Sequence, residues 1–222
     1  TRSGLRDPKV ELTDALPTFA KRAKEDILSF AGGDKPFFLY IPLTSPHSPV
    51  VPNKPFQGKT NIGSYGDFVV ETDWVVGQVM KAVDDAKIKN NTLFIFTTDN
   101  GSAQFSRKTK SGKTHLSSGP YRGRKRDNWE GGHRVPFIAR WPGVVEPDTV
   151  SSTVLCLTDL TRTLVAVAGG EITRHDMAED SFSFLHALKG DARGSAFPGN
   201  LLRRETTVHH GSSGEFAIRI GD

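Results

Sequence analysis

Asp99 and Asn100 stand side by side at the end of an apolar run, Leu93-Phe94-Ile95-Phe96-Thr97-Thr98, and Gly101 follows them. Adjacent carboxylate and amide oxygens are hard donors, a pairing that suits Ca²⁺ or Mg²⁺ better than a soft metal. The same three residues also make an ordinary tight turn. A second group able to do chemistry is His47, set between Pro46 and Pro49. The prolines hold its backbone out of helix and sheet, and an imidazole titrates near neutrality, so it can pass a proton. A lone loop histidine is more often a solvated or structural residue than a catalytic one. The third is the basic run Arg122-Gly123-Arg124-Lys125-Arg126, which leads into Asp127-Asn128-Trp129-Glu130-Gly131-Gly132-His133-Arg134-Val135-Pro136. Cations spaced with glycine and aromatic residues fit phosphate, sulfate or nucleic acid, or else form a solvated loop.

The elements that must position these groups follow from periodicity. Leu16, Ala20, Ala23, Ile27 and Phe30 recur at three- and four-residue steps, which predicts an amphipathic helix over about 13–30, stopped by Gly32-Gly33. Phe37 to Ile41 reads as a short central strand whose carboxyl end releases the His47 loop. Tyr65, Val69, Val76, Met80 and Val83 predict a second helix to about Lys87, with Asp73 inside it as a functional acid or, the favoured reading, a buried carboxylate serving a contact or cap. Leu93 to Thr98 then reads as a strand buried on both faces. Residues 102–120 carry no period and read as one long functional or disordered loop. Val135 to Trp141 is a further strand. Thr158 to Ala168 is a helix with Thr158 as N-cap and Gly169-Gly170 as its stop, and a short helix is expected around 182–188. The last twenty residues read as a β-hairpin around Gly211-Ser212-Ser213-Gly214. Helix, glycine break and strand in succession point to an α/β fold with a largely parallel sheet flanked by helices.

At 222 residues the chain holds one large domain or one domain with an appendage. It is expected to divide into a catalytic α/β portion over 1–170 and a C-terminal portion over 171–222. No apolar run approaches the roughly 20 residues of a membrane helix, and no signal segment opens the chain. Cys156 is the only cysteine, which excludes an internal disulfide and any multi-cysteine zinc site. The net charge of +4 is modest, so basic residues matter only where they cluster.

Three segments in order carry a resemblance. Phe38-Leu39-Tyr40-Ile41 followed by Pro46-His47-Ser48-Pro49 resembles the strand and Pro-His-x-Pro loop of type I sulfatases, in the alkaline phosphatase superfamily. Thr97-Thr98-Asp99-Asn100-Gly101 resembles their metal-binding Asp-Asn-Gly. Gly123-Arg124-Lys125 with Trp129-Glu130-Gly131-Gly132-His133-Arg134-Val135-Pro136 resembles their lysine loop, the most specific of the three. The likeness covers about residues 12 to 222.

The resemblance implies an alkaline-phosphatase-like fold and a sulfuric ester hydrolase of the arylsulfatase kind. It implies Asp99 and Asn100 as ligands of a divalent cation, usually Ca²⁺ with Mg²⁺ as the alternative. Lys125 would contact the sulfate and the nucleophile. His47 would contact the sulfate and protonate the leaving alcohol. Cations on the non-bridging oxygens and a proton at the leaving oxygen both lower the barrier to sulfate ester cleavage. The family's nucleophile is a formylglycine made within Cys/Ser-x-Pro-x-Arg. This chain is read as lacking that string, since Cys156 precedes Leu157-Thr158-Asp159, and as lacking the family's N-terminal acidic pair; both are expected upstream. The isolated chain is therefore expected to be inactive, with its metal site empty or weakly filled.

The substrate class implied is a sulfated small molecule or carbohydrate, and the location periplasmic or extracellular. No nucleic acid partner is expected, and the oligomeric state is left open. Two other readings stand beside this one: phosphoester hydrolysis in the same superfamily, and a polyanion-binding module built on Lys108, Lys110, Lys113 and Arg122 to Arg126. Among the remaining histidines, His115, His133, His209 and His210 are candidates for a substrate subsite, with His209-His210 favoured by their place before the Gly-Ser turn.

Overall fold

The first long helix, α1 (Ala15–Ala31), buries Leu16, Ala20, Ala23 and Ile27, the stripe read from their spacing. Phe30, expected on that stripe, is instead 44% exposed and packs on Phe37 with ring centroids 5.3 Å apart and planes tilted by 45°. The structure is a computed structural model and describes residues 11–104, 106–174, 176–190 and 204–221. It separates into two compact units. One holds residues 1–96 and 104–120; the other holds 97–103 and 121–222.

In the first unit α1 packs on α2 (Ser64–Asp85). One end of the contact is Ala23, Ile27, Val79, Ala82 and Val83; the other is Leu16, Ala20, Phe68 and Val75. The inward face of α2 is thus rotated from the expected one, and Val69 lies 41% exposed. Two carboxylates the periodicity did not single out, Asp67 and Glu71, sit on that buried face, while Asp73 is exposed. Asp67 accepts the N–H groups of Gly58 and Thr60, each at 2.8 Å, and Glu71 accepts Asn53 N–H at 2.8 Å and Asn53 Nδ2 at 2.6 Å. Burial opposes the charge of Asp67, yet the N–H donors of Gly58 and Thr60 outweigh it and hold its carboxyl below the usual range. These two acids moor the irregular loop 52–63 to the helix.

The expected strand over 37–41 is not one. Leu39, Ile41 and Leu43 pack on the helix pair, while Phe38 and Tyr40 between them are 72% and 74% exposed. Alternating burial against helices needs only a side-chain contact; a strand also needs a ladder partner, which apolar composition alone does not specify. The His47 loop follows, with His47 exposed and its Nδ1 2.8 Å from Ser48 O. Residues 102–120 are not a structureless loop either. β2 (Ser106–Lys108) and β3 (Thr114–Leu116) pair antiparallel, closed by Thr109 N–H donating to Lys113 O at 2.8 Å. Mostly exposed strands of three residues leave no apolar period to read.

β1 (Phe94–Thr97) is half-buried throughout rather than fully buried. The second unit contains α3 (Glu130–His133), β4 (Phe137–Arg140), α4 (Leu160–Val167), α5 (Leu185–Leu188) and the hairpin β5 (Thr206–His210) and β6 (Phe216–Ile220). The hairpin pairs Thr206 with Ile220 and His210 with Phe216. The pairings with defined register, β2–β3 and β5–β6, are antiparallel, which narrows the expected parallel sheet to a mixed arrangement of helices and small sheets. Asp159, expected to follow an N-cap at Thr158, is itself the buried anchor there. It accepts Cys156 N–H, Phe182 N–H and the Arg204 guanidinium, each within 2.8 Å. Among the described residues no helix is long and apolar enough to cross a membrane.

Replacing Glu71 with Ala strands Asn53's donors inside the first unit. Chemical denaturation is expected to show a loss of roughly 2–4 kcal/mol for Glu71→Ala and a change within about 0.5 kcal/mol for Asp73→Ala on the same helix. Equal costs would contradict this division of the two acids.

Candidate functional site

β1 ends at Thr97, and the chain turns through Asp99, Asn100 and Gly101. Asn100 Nδ2 donates to Gly101 O at 3.0 Å, which leaves its amide oxygen as the available donor to a cation. Gly101 N–H then donates to Gly132 O at 2.9 Å, and Lys125 N–H donates to Ser102 O at 2.8 Å. These two bonds lay the Asp-Asn-Gly turn against the lysine loop. The approach is close enough that a Cβ on Gly101 would fall on the Gly131 carbonyl, and one on Gly132 would fall on the Asp127 carbonyl. Glycine is required at both positions for this contact.

The lysine loop is closed on itself. Gly131 N–H donates to Arg122 O at 2.8 Å, Asp127 N–H to Arg124 O at 2.9 Å, and Arg124 N–H to Asp127 Oδ2 at 3.1 Å. The Arg122 guanidinium lies 3.7 Å from the Trp129 ring centroid, and that of Arg134 lies 4.8 Å from Tyr121's. The Trp-Glu-Gly-Gly segment thus shapes the turn that carries Lys125. Glu130 extends the support to the hairpin: its oxygens take Arg134 at 3.0 Å and Arg219 at 2.9 Å. Burial disfavours the Glu130 charge, but hydrogen bonds from Arg134 and Arg219 prevail and keep its carboxyl below the usual range.

A pocket of about 390 Å³ opens between this loop and the hairpin turn. Asn100 and Lys125 line it together, so the second oxygen donor and the loop lysine share one space. His133, His209 and His210 line it too, three of the four subsite candidates; His115 lies on β3 in the first unit, paired opposite Arg107. Asp99 is exposed next to Asn100, and His47 belongs to the first unit. The His133 and His209 rings stack with centroids 3.5 Å apart at 11°. Hydrogen-bond contacts fix both rings: His133 Nε2 is 3.0 Å from Asn128 O and His209 Nε2 is 2.8 Å from Thr207 Oγ1. Burial first, and His133 second, push the His209 pKa down.

Asp127 and Asn128 also line the pocket and were not singled out from sequence. Asn128 Nδ2 donates to Glu215 O at 2.9 Å, and Ser212 N–H donates to Arg126 O at 2.9 Å, so the hairpin turn is tied to the lysine loop. The available signal was turn chemistry, an Asp-Asn pair in a glycine-bounded loop.

On the metal, the donors fit in kind and fall short in number. Asp99 and Asn100 supply hard oxygens, but calcium takes six to eight ligands. Among the described residues no group of three or more His, Cys, Asp or Glu side chains comes together to hold an ion. The expectation that no Ser-x-Pro-x-Arg string occurs needs correction: Ser118-Gly119-Pro120-Tyr121-Arg122 has that form. Its arginine is the one stacked on Trp129, and its Arg122 carbonyl holds Gly131, so the string ends inside the lysine loop.

The family model described as Sulfatase matches residues 12–170, and the chain belongs to the sulfatase family. It is 33% identical over 181 residues to an N-acetylgalactosamine-6-O-sulfatase of Bacteroides thetaiotaomicron, a match covering 80% of this chain and 35% of that protein. To human arylsulfatase D it is 38% identical over 164 residues, 72% of this chain and 27% of the relative. A solved Bacteroides thetaiotaomicron structure, described with the metabolism of multiple glycosaminoglycans, superposes with a TM-score of 0.80 at 31% identity, covering 96% of this chain and 42% of that one. The chain therefore spans about a third of the length of the curated relatives it matches.

Two outcomes follow from this geometry. Gly101→Ala is expected to cost roughly 2–3 kcal/mol by overpacking, whereas Gly77→Ala, in α2 with open space at its Cβ, gains about 0.5–1 kcal/mol in helix propensity. Denaturation midpoints of the two variants check it. Because the folded His209 pKa is depressed, the unfolded chain binds that proton first as pH falls, and stability drops from about pH 6.5 downward. His209→Phe keeps an aromatic ring without the proton, so its melting temperature should fall less between about pH 7.5 and 5.5 than the wild type's. Parallel curves would show the ring stack to be insensitive to charge.

Proposed function

We propose that this chain carries part of the active centre of a sulfuric ester hydrolase acting on sulfated carbohydrate. Lys125 binds the sulfate oxygens, Asp99 and Asn100 contribute oxygens to a divalent cation, and His47 gives a proton to the leaving alcohol. The observation that carries the reading is the clamp between Lys125 N–H and Ser102 O, which puts Lys125 and Asn100 on one pocket. The names of relatives support the substrate class: N-acetylgalactosamine-6-O-sulfatase, and the canine N-acetylgalactosamine-6-sulfatase at 36% identity.

The chain's own residues supply anion recognition. A lysine ammonium is a compact charge suited to an oxyanion, and it stabilises the negative sulfuryl oxygens as the ester bond lengthens. A bound divalent cation would add Lewis-acid polarisation of a sulfate oxygen, with Asp99 and Asn100 as two of its ligands. A phosphoester substrate would use the same cations. The polyanion reading has less to work with, since Arg122 is stacked on Trp129.

Calorimetric titration of the chain with inorganic sulfate tests the reading. Lys125→Ala is expected to weaken binding at least about tenfold, as loss of a charge-assisted contact does. Unchanged affinity would remove Lys125 from the site, and tighter binding of phosphate than of sulfate would favour the phosphoester reading. The 222-residue chain alone is expected to hydrolyse no sulfate ester. Turnover of an aryl sulfate that disappears in Lys125→Ala would overturn that.

A further inference from the structure

Arg126 adopts a left-handed backbone, φ 85°, a conformation that a side chain bearing a Cβ takes up at a cost and glycine takes up freely. It is exposed, it lines the pocket directly after Lys125, and its carbonyl receives Ser212 N–H from the hairpin turn. The turn thereby brings His210 to the same pocket, where its ring lies on Phe216 with centroids 4.5 Å apart. A strained residue in a pocket lining points to a side chain kept for what it does there. The charge balance agrees. The lining carries two fixed cations, Lys125 and Arg126, and the carboxylate of Asp127 is engaged by Arg124 N–H. If Lys125 serves the reacting sulfate, Arg126 is a second cation with no partner group on the substrate yet assigned.

We propose that Arg126, supported by His210, binds a second anionic group on the substrate, so that the site selects sulfated saccharides bearing an additional sulfate or a carboxylate. This rests on the reading of Lys125 as the sulfate contact. A guanidinium meets either oxyanion with paired N–H donors, so the recognising chemistry is shared between the two sources. The contact lies at the exposed lip of the pocket, and added salt should erode it.

The test is calorimetric titration of the chain with three probes: N-acetylgalactosamine-6-sulfate, the same sugar with a second sulfate, and the same sulfated sugar joined to a glucuronate. Wild-type chain is expected to bind at least one dianion roughly tenfold more tightly than the monosulfate, the gain of one charged hydrogen-bonding contact. Whichever dianion is preferred identifies the source of the second charge. Arg126→Gly, which fits the backbone and should preserve the melting temperature, is expected to collapse the dianion-to-monosulfate ratio toward one, and Arg126→Lys to keep part of it. A ratio near one in wild type, or one unchanged in Arg126→Gly, overturns the proposal. Lys125→Ala separates the two claims: if it leaves monosulfate affinity intact, the sulfate-site reading fails, whereas a loss there with no ratio change in Arg126→Gly rejects the second contact alone.

Discussion

The second unit depends on backbone meeting backbone without side chains between. Gly101 lies against Gly131 and Gly132, and the space a Cβ would need is already filled by carbonyl oxygens. That approach allows the two hydrogen bonds, Gly101 to Gly132 and Lys125 to Ser102, that fix the lysine loop to the end of β1. Everything placed by the loop inherits its position from this contact. Lys125 and Asn100 line one pocket, and the Lys125 N–H to Ser102 O bond ties their two segments together. A Cβ at Gly101 would force the turn and the loop apart.

Beyond the glycine contact, ion pairs and hydrogen bonds tie the loop to the hairpin. Glu130, at the start of α3, takes Arg134 from its own segment and Arg219 from β6. The hairpin returns two more ties, Ser212 N–H to Arg126 O and Asn128 Nδ2 to Glu215 O. Exposed ion pairs contribute little individually. Here the pair is half-buried and spans 89 residues of sequence, so its value lies in fixing the hairpin against the loop. The stacked His133 and His209 rings fill the seam between them, and burial keeps His209 toward its neutral form. The pocket thus has one wall from a glycine-tight loop and one from a hairpin, joined by polar contacts that water and protons can reach.

Much of this was legible where the signal was periodic. The α1 stripe of Leu16, Ala20, Ala23 and Ile27 is buried as its spacing implies, and the β5–β6 hairpin forms around its Gly-Ser turn. The reading failed where the deciding contact was not in the segment itself. Phe37 to Ile41 has strand composition but packs one face on helices, with no ladder partner among the described residues. The face of α2 was misjudged because Asp67 and Glu71 are buried by loop N–H groups that come from residues 53–60, which no helical period encodes. The exposed β2–β3 hairpin carries no apolar alternation at all. In the candidate site, Asn100 came from its oxygen beside Asp99 and Lys125 from the family resemblance, and the two line one pocket. Asp127 and Asn128 went unnoticed because their part is geometric.

Arg126 shows the limit of residue identity most clearly. As a letter it is one more cation in a basic run, and a basic run is most simply a solvated loop. Its backbone angle separates it from its neighbours: Arg124 bonds back to Asp127, Arg122 lies on Trp129, and Arg126 alone of the three holds a left-handed conformation at the pocket edge. Three arginines within five positions therefore do three different things. One caps a turn through its backbone, one packs on an indole, and one holds a left-handed backbone at the pocket edge. The strain cannot serve the hairpin tie, since the carbonyl that receives Ser212 would be present with any residue there, glycine included. What glycine would lack is the guanidinium, and the pocket is where that difference is expressed.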